Sequence, residues 1–274
     1  LKPDIRNGLK DAGTARHVGR SVNFSHFCRN MKKMRAIARL LYFVFYTLLR
    51  VVQILVSSLF WGADIRRSMR IRQSWARHLL PAIGVRINVA GTPPDFPCIL
   101  MGNHRSYLDP VVLLHDVFAW PVSKAEVSGW PVVGYGARVT GVLFLQRENA
   151  GSRKFTLQAI AEKLREGFPV ILFPEGTTHS EPATRAFRPG GFRLAASEGF
   201  PVVPVAIDYA DPADHWIGDD TFLPHFLRRF GEKQMRVTVH YGEAVWNDDP
   251  EELLREAQTW IDAELSDIQQ GFIL

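Results

Sequence analysis

Apolar and polar positions fall into three regimes along the chain. Residues 1–30 are polar, Gly-bearing and without sustained periodicity, which predicts a poorly ordered leader. Met31-Lys32-Lys33-Met34-Arg35 reads as a natural protein start, so the stretch before it is expected to be an extension. From Leu40 to Trp61 the chain is almost wholly apolar, LLYFVFYTLL and VVQILVSSLFW on either side of Arg50. These 22 residues suffice to cross a bilayer's hydrocarbon core. Arg50 near the middle would cost about 2.5–3.5 kcal/mol there unless it snorkels or pairs. Basic residues flank both ends: Lys32, Lys33, Arg35 and Arg39 before, then Arg66, Arg67, Arg70, Arg72 and Arg77 after. A spanning helix should carry its Lys/Arg excess on one side. Symmetric flanks fit a helix or helical hairpin lying in one leaflet, although spanning stays open, as does a buried helix of a soluble core. A signal peptide fits less well, because Arg50 interrupts the run and no small-x-small cleavage site follows. Residues 64–80 predict a basic amphipathic helix with Ile65, Met69, Ala76 and Leu79 near one face.

Beyond Val85 the pattern becomes short apolar runs separated by amphipathic stretches. RINVAG, CILMGN, GVLFLQR, PVILFP, PVVPVAI and MRVTVHYG read as strands. Asp109-Pro110 predicts a helix start, with Asp as N-cap and Pro at the first position. Ser152 to Glu166 carries Phe155, Ile160, Ala161 and Leu164 at helical spacing, and Gly167 suits its stop. Gly191 to Glu198 predicts a short helix. Asp249-Pro250 caps a final amphipathic helix with Leu253, Leu254, Ala257, Trp260, Ile261 and Leu265. Such alternation predicts an α/β fold with a central mixed sheet covered by helices, preceded by an N-terminal membrane-associated helical segment. The expected division is a leader over 1–30, membrane-associated helices over 31–80 and a globular domain over 81–274.

Composition adds one fact that changes the picture. The net charge of +5 conceals a first third, residues 1–86, with 17 Lys/Arg against 3 Asp/Glu, while the remainder carries 16 against 25. One end therefore seeks a polyanion, either nucleic acid or an anionic lipid surface. The basic residues surround an apolar run rather than a polar groove with spaced aromatics, which favours the membrane and argues against nucleic acid. Two cysteines, Cys28 and Cys98, are too few for a disulfide framework or a multi-cysteine zinc site, so a reducing compartment is the default.

Three segments carry candidate chemistry. Asn103-His104-Arg105-Ser106-Tyr107-Leu108-Asp109 follows a strand directly, where α/β folds place their sites. Histidine can take up a proton near neutral pH, and a carboxylate looping back to one ring nitrogen would fix its tautomer. A plain surface turn before an N-capped helix would look the same. Phe173-Pro174-Glu175-Gly176-Thr177-Thr178 also follows a buried strand; its glycine permits a tight turn and its N–H and hydroxyl groups could hold an anion. An ordinary strand-to-loop turn with a solvated Glu175 is the alternative. Gly141-Val142-Leu143-Phe144-Leu145-Gln146-Arg147 ends in a cation able to hold phosphate or carboxylate, or to form a surface ion pair. No G-x-S-x-G nucleophile elbow is present, and His115 and His179 stand isolated in sequence, so neither a serine hydrolase nor a metal site is expected.

In this order, over residues 97–210, the segments resemble the glycerolipid acyltransferase family, whose best-known members are 1-acylglycerol-3-phosphate acyltransferases. Asn103-His104 through Asp109 is similar to its first block, Gly141, Phe144 and Arg147 to its second, Phe173 to Thr177 to its third, and Val203-Pro204-Val205-Ala206-Ile207 to its fourth. The resemblance implies that His104 is the general base for an acceptor hydroxyl and that Asp109 orients it. It implies an acyl-CoA or acyl carrier protein donor, no bound cofactor and no metal. Arg147 and the Glu175-Gly176-Thr177-Thr178 turn would bind the acceptor's head, with Gly176 N–H a donor to the developing oxyanion. Gly141, Phe144 and Lys124 would line the substrate site. The implied setting is phospholipid biosynthesis at the cytoplasmic face of the inner membrane, with 1-acylglycerol-3-phosphate as acceptor. One departure matters: members specific for lysophosphatidate usually carry Arg where this chain has Thr178. Arg185, Arg188 or Arg193 could replace that cation, or the acceptor could be another lysolipid such as lyso-ornithine lipid.

Overall fold

The structure, a computed structural model, describes residues 15–130, 133–146 and 150–273. Helix α1 (Ala15–Trp61) runs unbroken for 47 residues. It takes in residues 15–30, where the sequence predicts an unstructured leader; no proline interrupts the chain between Pro3 and Pro81, so the helical repeat carries on upstream of the apolar run. Gly62, at φ 74°, ends it, and Asp64 caps α2 (Ile65–Ala82) by accepting from the Arg67 N–H at 3.2 Å. The two helices therefore form an antiparallel hairpin. Trp75 Nε1 donates to Thr47 Oγ1 at 3.0 Å across it, and the Thr47 hydroxyl donates to the Phe43 carbonyl. Arg50 avoids part of its expected cost by donating to Tyr46 Oη at 2.6 Å and Gln53 Oε1 at 2.7 Å.

Seven strands follow: β1 (Val85–Ala90), β2 (Ile99–Gly102), β3 (Trp120–Lys124), β4 (Leu143–Leu145), β5 (Val170–Leu172), β6 (Val202–Tyr209) and β7 (Met235–Tyr241). They form one sheet in the order β1-β7-β6-β2-β5-β3-β4. β7 is antiparallel to β6 and parallel to β1, and every other pairing is parallel, so the sheet is mixed. Buried strands alternate between two cores. Leu100, Val203, Val205 and Ile207 join the core under α2, α3 (Asp109–Asp116) and α7 (Phe222–Arg229). Ile99, Met101, Val202 and Ala206 face α5 (Ala150–Arg165), α6 (Gly190–Glu198) and α8 (Pro250–Ile273). This period of two, apolar on both faces, is what a sheet covered on both sides demands.

α1 lies across the first of these layers. Its inner residues Leu40, Phe43 and Tyr46 pack on that core, while α4 (Val133–Val139) approaches it where Gly136 meets Val51. Its outer residues Leu41, Phe45, Leu48, Val52, Leu55 and Leu59 are exposed, and they recur at helical spacing. Exposed apolar area of this extent is characteristic of a membrane-associated face. The helix is long and apolar enough to cross a bilayer.

Candidate functional site

The parallel strands β2 and β5 end side by side and deliver two loops to one place. The β2 loop is fastened first by Asn103. Its amide donates to the Ile207 carbonyl at 2.8 Å and accepts from the Ile207 N–H at 2.8 Å, so a side chain supplies a rung of ladder to β6. The chain then turns so that Asp109 points back into its own loop.

Asp109 is fully buried and accepts four hydrogen bonds. Oδ2 takes the Arg105 N–H at 2.6 Å, the Ser106 N–H at 2.8 Å and His104 Nδ1 at 2.8 Å, while Oδ1 takes the Tyr209 hydroxyl at 2.7 Å. The sequence predicts Asp109 as an N-cap; instead α3 begins at this residue without a side-chain cap, because the carboxylate serves the preceding loop. With Oδ2 of Asp109 as its partner, the neutral His104 ring donates from Nδ1 and presents Nε2 as its acceptor nitrogen. The imidazole stacks on Phe173, centroids 4.3 Å apart and planes 16° off parallel, which fixes the ring's second axis. Burial, followed by the Asp109 charge, pushes the Tyr209 phenol well above its ordinary range, so it remains a donor.

His104 sits in the wall of a cavity of about 720 Å³ that runs beneath α1 and α2. Its lining is predominantly apolar, with Phe43, Val51, Ile54, Leu79, Leu114 and Ile160 among its residues. Aromatic rings gather beside the His104 loop: Tyr107 meets Trp216 at 5.4 Å and Phe222 at 5.2 Å, and Trp130 meets Phe222 at 5.5 Å. Lys124, Gly176, Thr177 and Thr178 line the same cavity, as does Arg188. Arg72 reaches its far wall from α2, donating to the carbonyls of Thr140 at 2.7 Å, Gly141 at 2.8 Å and Ala119. Burial pushes its guanidinium down to about 9, still charged at neutral pH.

Several sequence expectations need correction. Glu175 does not line the cavity. Its buried carboxylate accepts the His104 N–H at 2.7 Å on Oε2, and His179 Nε2–H at 2.7 Å and the Arg185 N–H at 3.1 Å on Oε1. Three internal donors engage it, and through them it ties the β5 loop to the β2 loop. His179 thereby becomes part of the scaffold. Its Nδ1 accepts from Arg105 and from the Glu181 N–H, which leaves Nε2 to carry the proton. The Gly176 N–H expected at an oxyanion donates to the Phe173 carbonyl at 3.1 Å. Glycine is needed there all the same, because φ is 77° and a Cβ would lie 2.9 Å from Arg188 Nε. The Thr178 hydroxyl donates to the Trp216 carbonyl.

Gly141, also expected in the substrate site, has φ 85° against the Trp120 ring and gives its carbonyl to Arg72. Phe144 is half-buried in β4 and does not line the cavity. Arg147 lies outside the described residues. Of the three cations that could stand in for the one absent at Thr178, Arg188 lines the cavity, whereas Arg185 is turned to Glu181 at 2.6 Å and Arg193 lies elsewhere on α6. Asn103 is the opening residue of the first block, but its rung to β6 is not legible in the motif. Tyr209 was beyond sequence reasoning, since it approaches Asp109 from a strand 100 residues further on.

Comparison with known proteins identifies the family and the fold. Residues 86–208 match the family model described as Acyltransferase. The chain is 33% identical over 205 residues to a lyso-ornithine lipid O-acyltransferase of Pseudomonas aeruginosa, covering 72% of this chain and 79% of that one. It is 27% identical over 179 residues to the human 1-acyl-sn-glycerol-3-phosphate acyltransferase alpha, covering 63% and 60%. The fold resembles the crystal structure of the 1-acyl-sn-glycerophosphate acyltransferase PlsC from Thermotoga maritima, with a TM-score of 0.67 at 22% identity over 87% of this chain and 98% of that one.

Proposed function

We propose that this chain, which belongs to the acyltransferase family, moves a fatty acyl group from a soluble thioester to the free hydroxyl of a lysolipid, with His104 as general base. The observation that carries the reading is the 2.8 Å bond between His104 Nδ1 and Asp109 in the wall of a largely apolar cavity. Nε2 takes the acceptor's hydroxyl proton as its oxygen attacks the thioester carbonyl, and Asp109 offsets the positive charge that forms on the ring. The tetrahedral adduct collapses with cleavage of the C–S bond, and the thiolate takes the proton back from the imidazolium. The ester and the free thiol leave, and no acyl-enzyme is required. With the Gly176 N–H committed, Thr177 on the cavity wall is the candidate donor to the oxyanion.

The cavity beneath α1 and α2 suits an acyl chain, and Lys124 and Arg188 suit an anionic head. Lyso-ornithine lipid is the acceptor we favour. Relatives with that activity match over most of the chain, and the neutral Thr178 suits an amino-acid head carrying one carboxylate. 1-Acylglycerol-3-phosphate is the second reading, supported by Lys124 and Arg188 on the cavity wall, which could share a phosphate. The donor is acyl-CoA or an acyl carrier protein, both soluble, which favours a site at the cytoplasmic face. Because α1 packs along its inner side on the catalytic domain, we read it as lying within one leaflet rather than spanning. Incubating the purified protein with radiolabelled palmitoyl-CoA and a panel of lysolipids tests the assignment. A labelled ornithine lipid is the expected product, labelled phosphatidate supports the second reading, and palmitate released equally with and without acceptor overturns both.

A further inference from the structure

The base and its carboxylate account for two of the groups at this centre, and a third comes from the neighbouring strand β6, on the same face of the sheet. We propose that Tyr209 is a positioning residue that fixes the charge and aim of Asp109, and so sets the pH at which His104 can act as a base; this rests on the general-base reading above.

Asp109 presents its two oxygens to different partners. Oδ2 faces His104 and the N–H groups of Arg105 and Ser106, while Oδ1 has the Tyr209 hydroxyl at 2.7 Å. Both residues are buried, so no water competes for that bond. β6 holds Tyr209 in place through its pairing with β7, and the adjacent Asp208 accepts the Tyr209 N–H at 2.9 Å. The phenol draws negative charge toward Oδ1 and away from the imidazole. Without it the carboxylate would hold a proton on the His104–Asp109 pair more tightly. With a stronger donor it would hold that proton less tightly.

The surroundings leave this bond as the adjustable one. Glu175 faces the His104 backbone N–H rather than the ring. The Arg105 guanidinium is directed to Asp208, 3.6 Å away, and to His179 at 3.1 Å, and only the backbone N–H of this residue reaches Asp109. His215 meets the Tyr209 ring edge-on at 6.0 Å, and its Nε2 is occupied by Asp208 at 3.0 Å. The Asp214 charge also acts on the phenol, in the same sense as Asp109, and the Ser106 hydroxyl acts against it. Tyr107, on the same loop, pairs with His225 at 3.2 Å.

The test is the acid limb of the pH–rate profile for thiol release from palmitoyl-CoA, with lyso-ornithine lipid and 1-acylglycerol-3-phosphate as parallel acceptors. Tyr209→Phe removes the donor, and the limb is expected to move to higher pH by about half a unit to one unit. Replacing Tyr209 by 3,5-difluorotyrosine keeps the shape and makes the phenol a stronger donor, so the limb moves the other way. Opposite shifts support the proposal. A structural role alone would lower kcat equally at every pH, and profiles that superimpose on the wild type after scaling, for both variants, overturn it. Failure of the base reading shows separately, as turnover retained by His104→Ala.

Discussion

Glu175→Gln separates a residue that holds substrate from one that builds the site. The carboxylate takes two donors on Oε1, His179 Nε2–H and the Arg185 N–H, and one on Oε2, the His104 N–H at 2.7 Å. A glutamine amide keeps most bonds by placing its oxygen at the Oε1 position, which turns its NH2 group toward the His104 N–H. Two donors then face each other in a buried space. The lost bond to a charged acceptor is worth about 1.5–3 kcal/mol, and the two that remain weaken from charge-assisted to neutral. Together these cost about 2–4 kcal/mol, which for a chain of this size lowers Tm by roughly 5–15 °C. The His104 loop moves to relieve the contact, and a displacement near 1 Å costs about 100-fold in kcat. Steady-state kinetics with acceptor and donor varied separately, alongside thermal melts in detergent, should show kcat falling with both KM values close to wild type. An acceptor KM raised tenfold at unchanged kcat and Tm would refute the tie and return Glu175 to the acceptor's head.

Three further outcomes are expected. Arg188→Ala removes a cavity cation beside Gly176 and should raise the acceptor KM by about ten- to a hundredfold, with the donor KM unchanged in the same kinetic assay. Phe45→Asp combined with Leu59→Asp places two carboxylates on the exposed apolar face of α1, each costing roughly 2.5–3.5 kcal/mol in hydrocarbon, so cosedimentation with anionic vesicles should be lost. Burial pushes the His225 imidazole below its ordinary range, with its bond to the His215 carbonyl and the Asp220 charge pulling the other way. The unfolded chain therefore takes up this proton first: the stability is whole above about pH 6.5 and drains as pH falls toward the lower folded value. Tm measured from pH 7.5 to 5.5 should fall less steeply in His225→Gln.

His104 and Asp109 were legible because both lie in one short loop, where five residues suffice for the chain to turn back on itself. Tyr209 was not, because only the pairing of β2 with β6 brings it to Asp109. Glu175 and Gly176 illustrate a different limit: the residue types suit anion binding, but side-chain direction and the fate of one N–H depend on the turn. The six predicted strands all form, each within about two residues at either end, since buried strands in a covered sheet write continuous apolar runs. β3, WPVSK, carries no such run and contains a proline, and α7 is eight residues with Pro224 inside, so neither announces itself. The helical pattern of α1 extends upstream of its apolar stretch into residues whose composition alone suggests a loose leader.

The central claim is that one imidazole, aimed by Asp109, removes the acceptor's proton. Turnover of palmitoyl-CoA by His104→Ala, with lyso-ornithine lipid and 1-acylglycerol-3-phosphate offered in parallel and the Tm and vesicle binding of the same preparation checked, measures it directly. Loss of about 100- to 10,000-fold in kcat by a folded, membrane-bound protein is the expected result. Turnover within a few-fold of wild type would contradict the account.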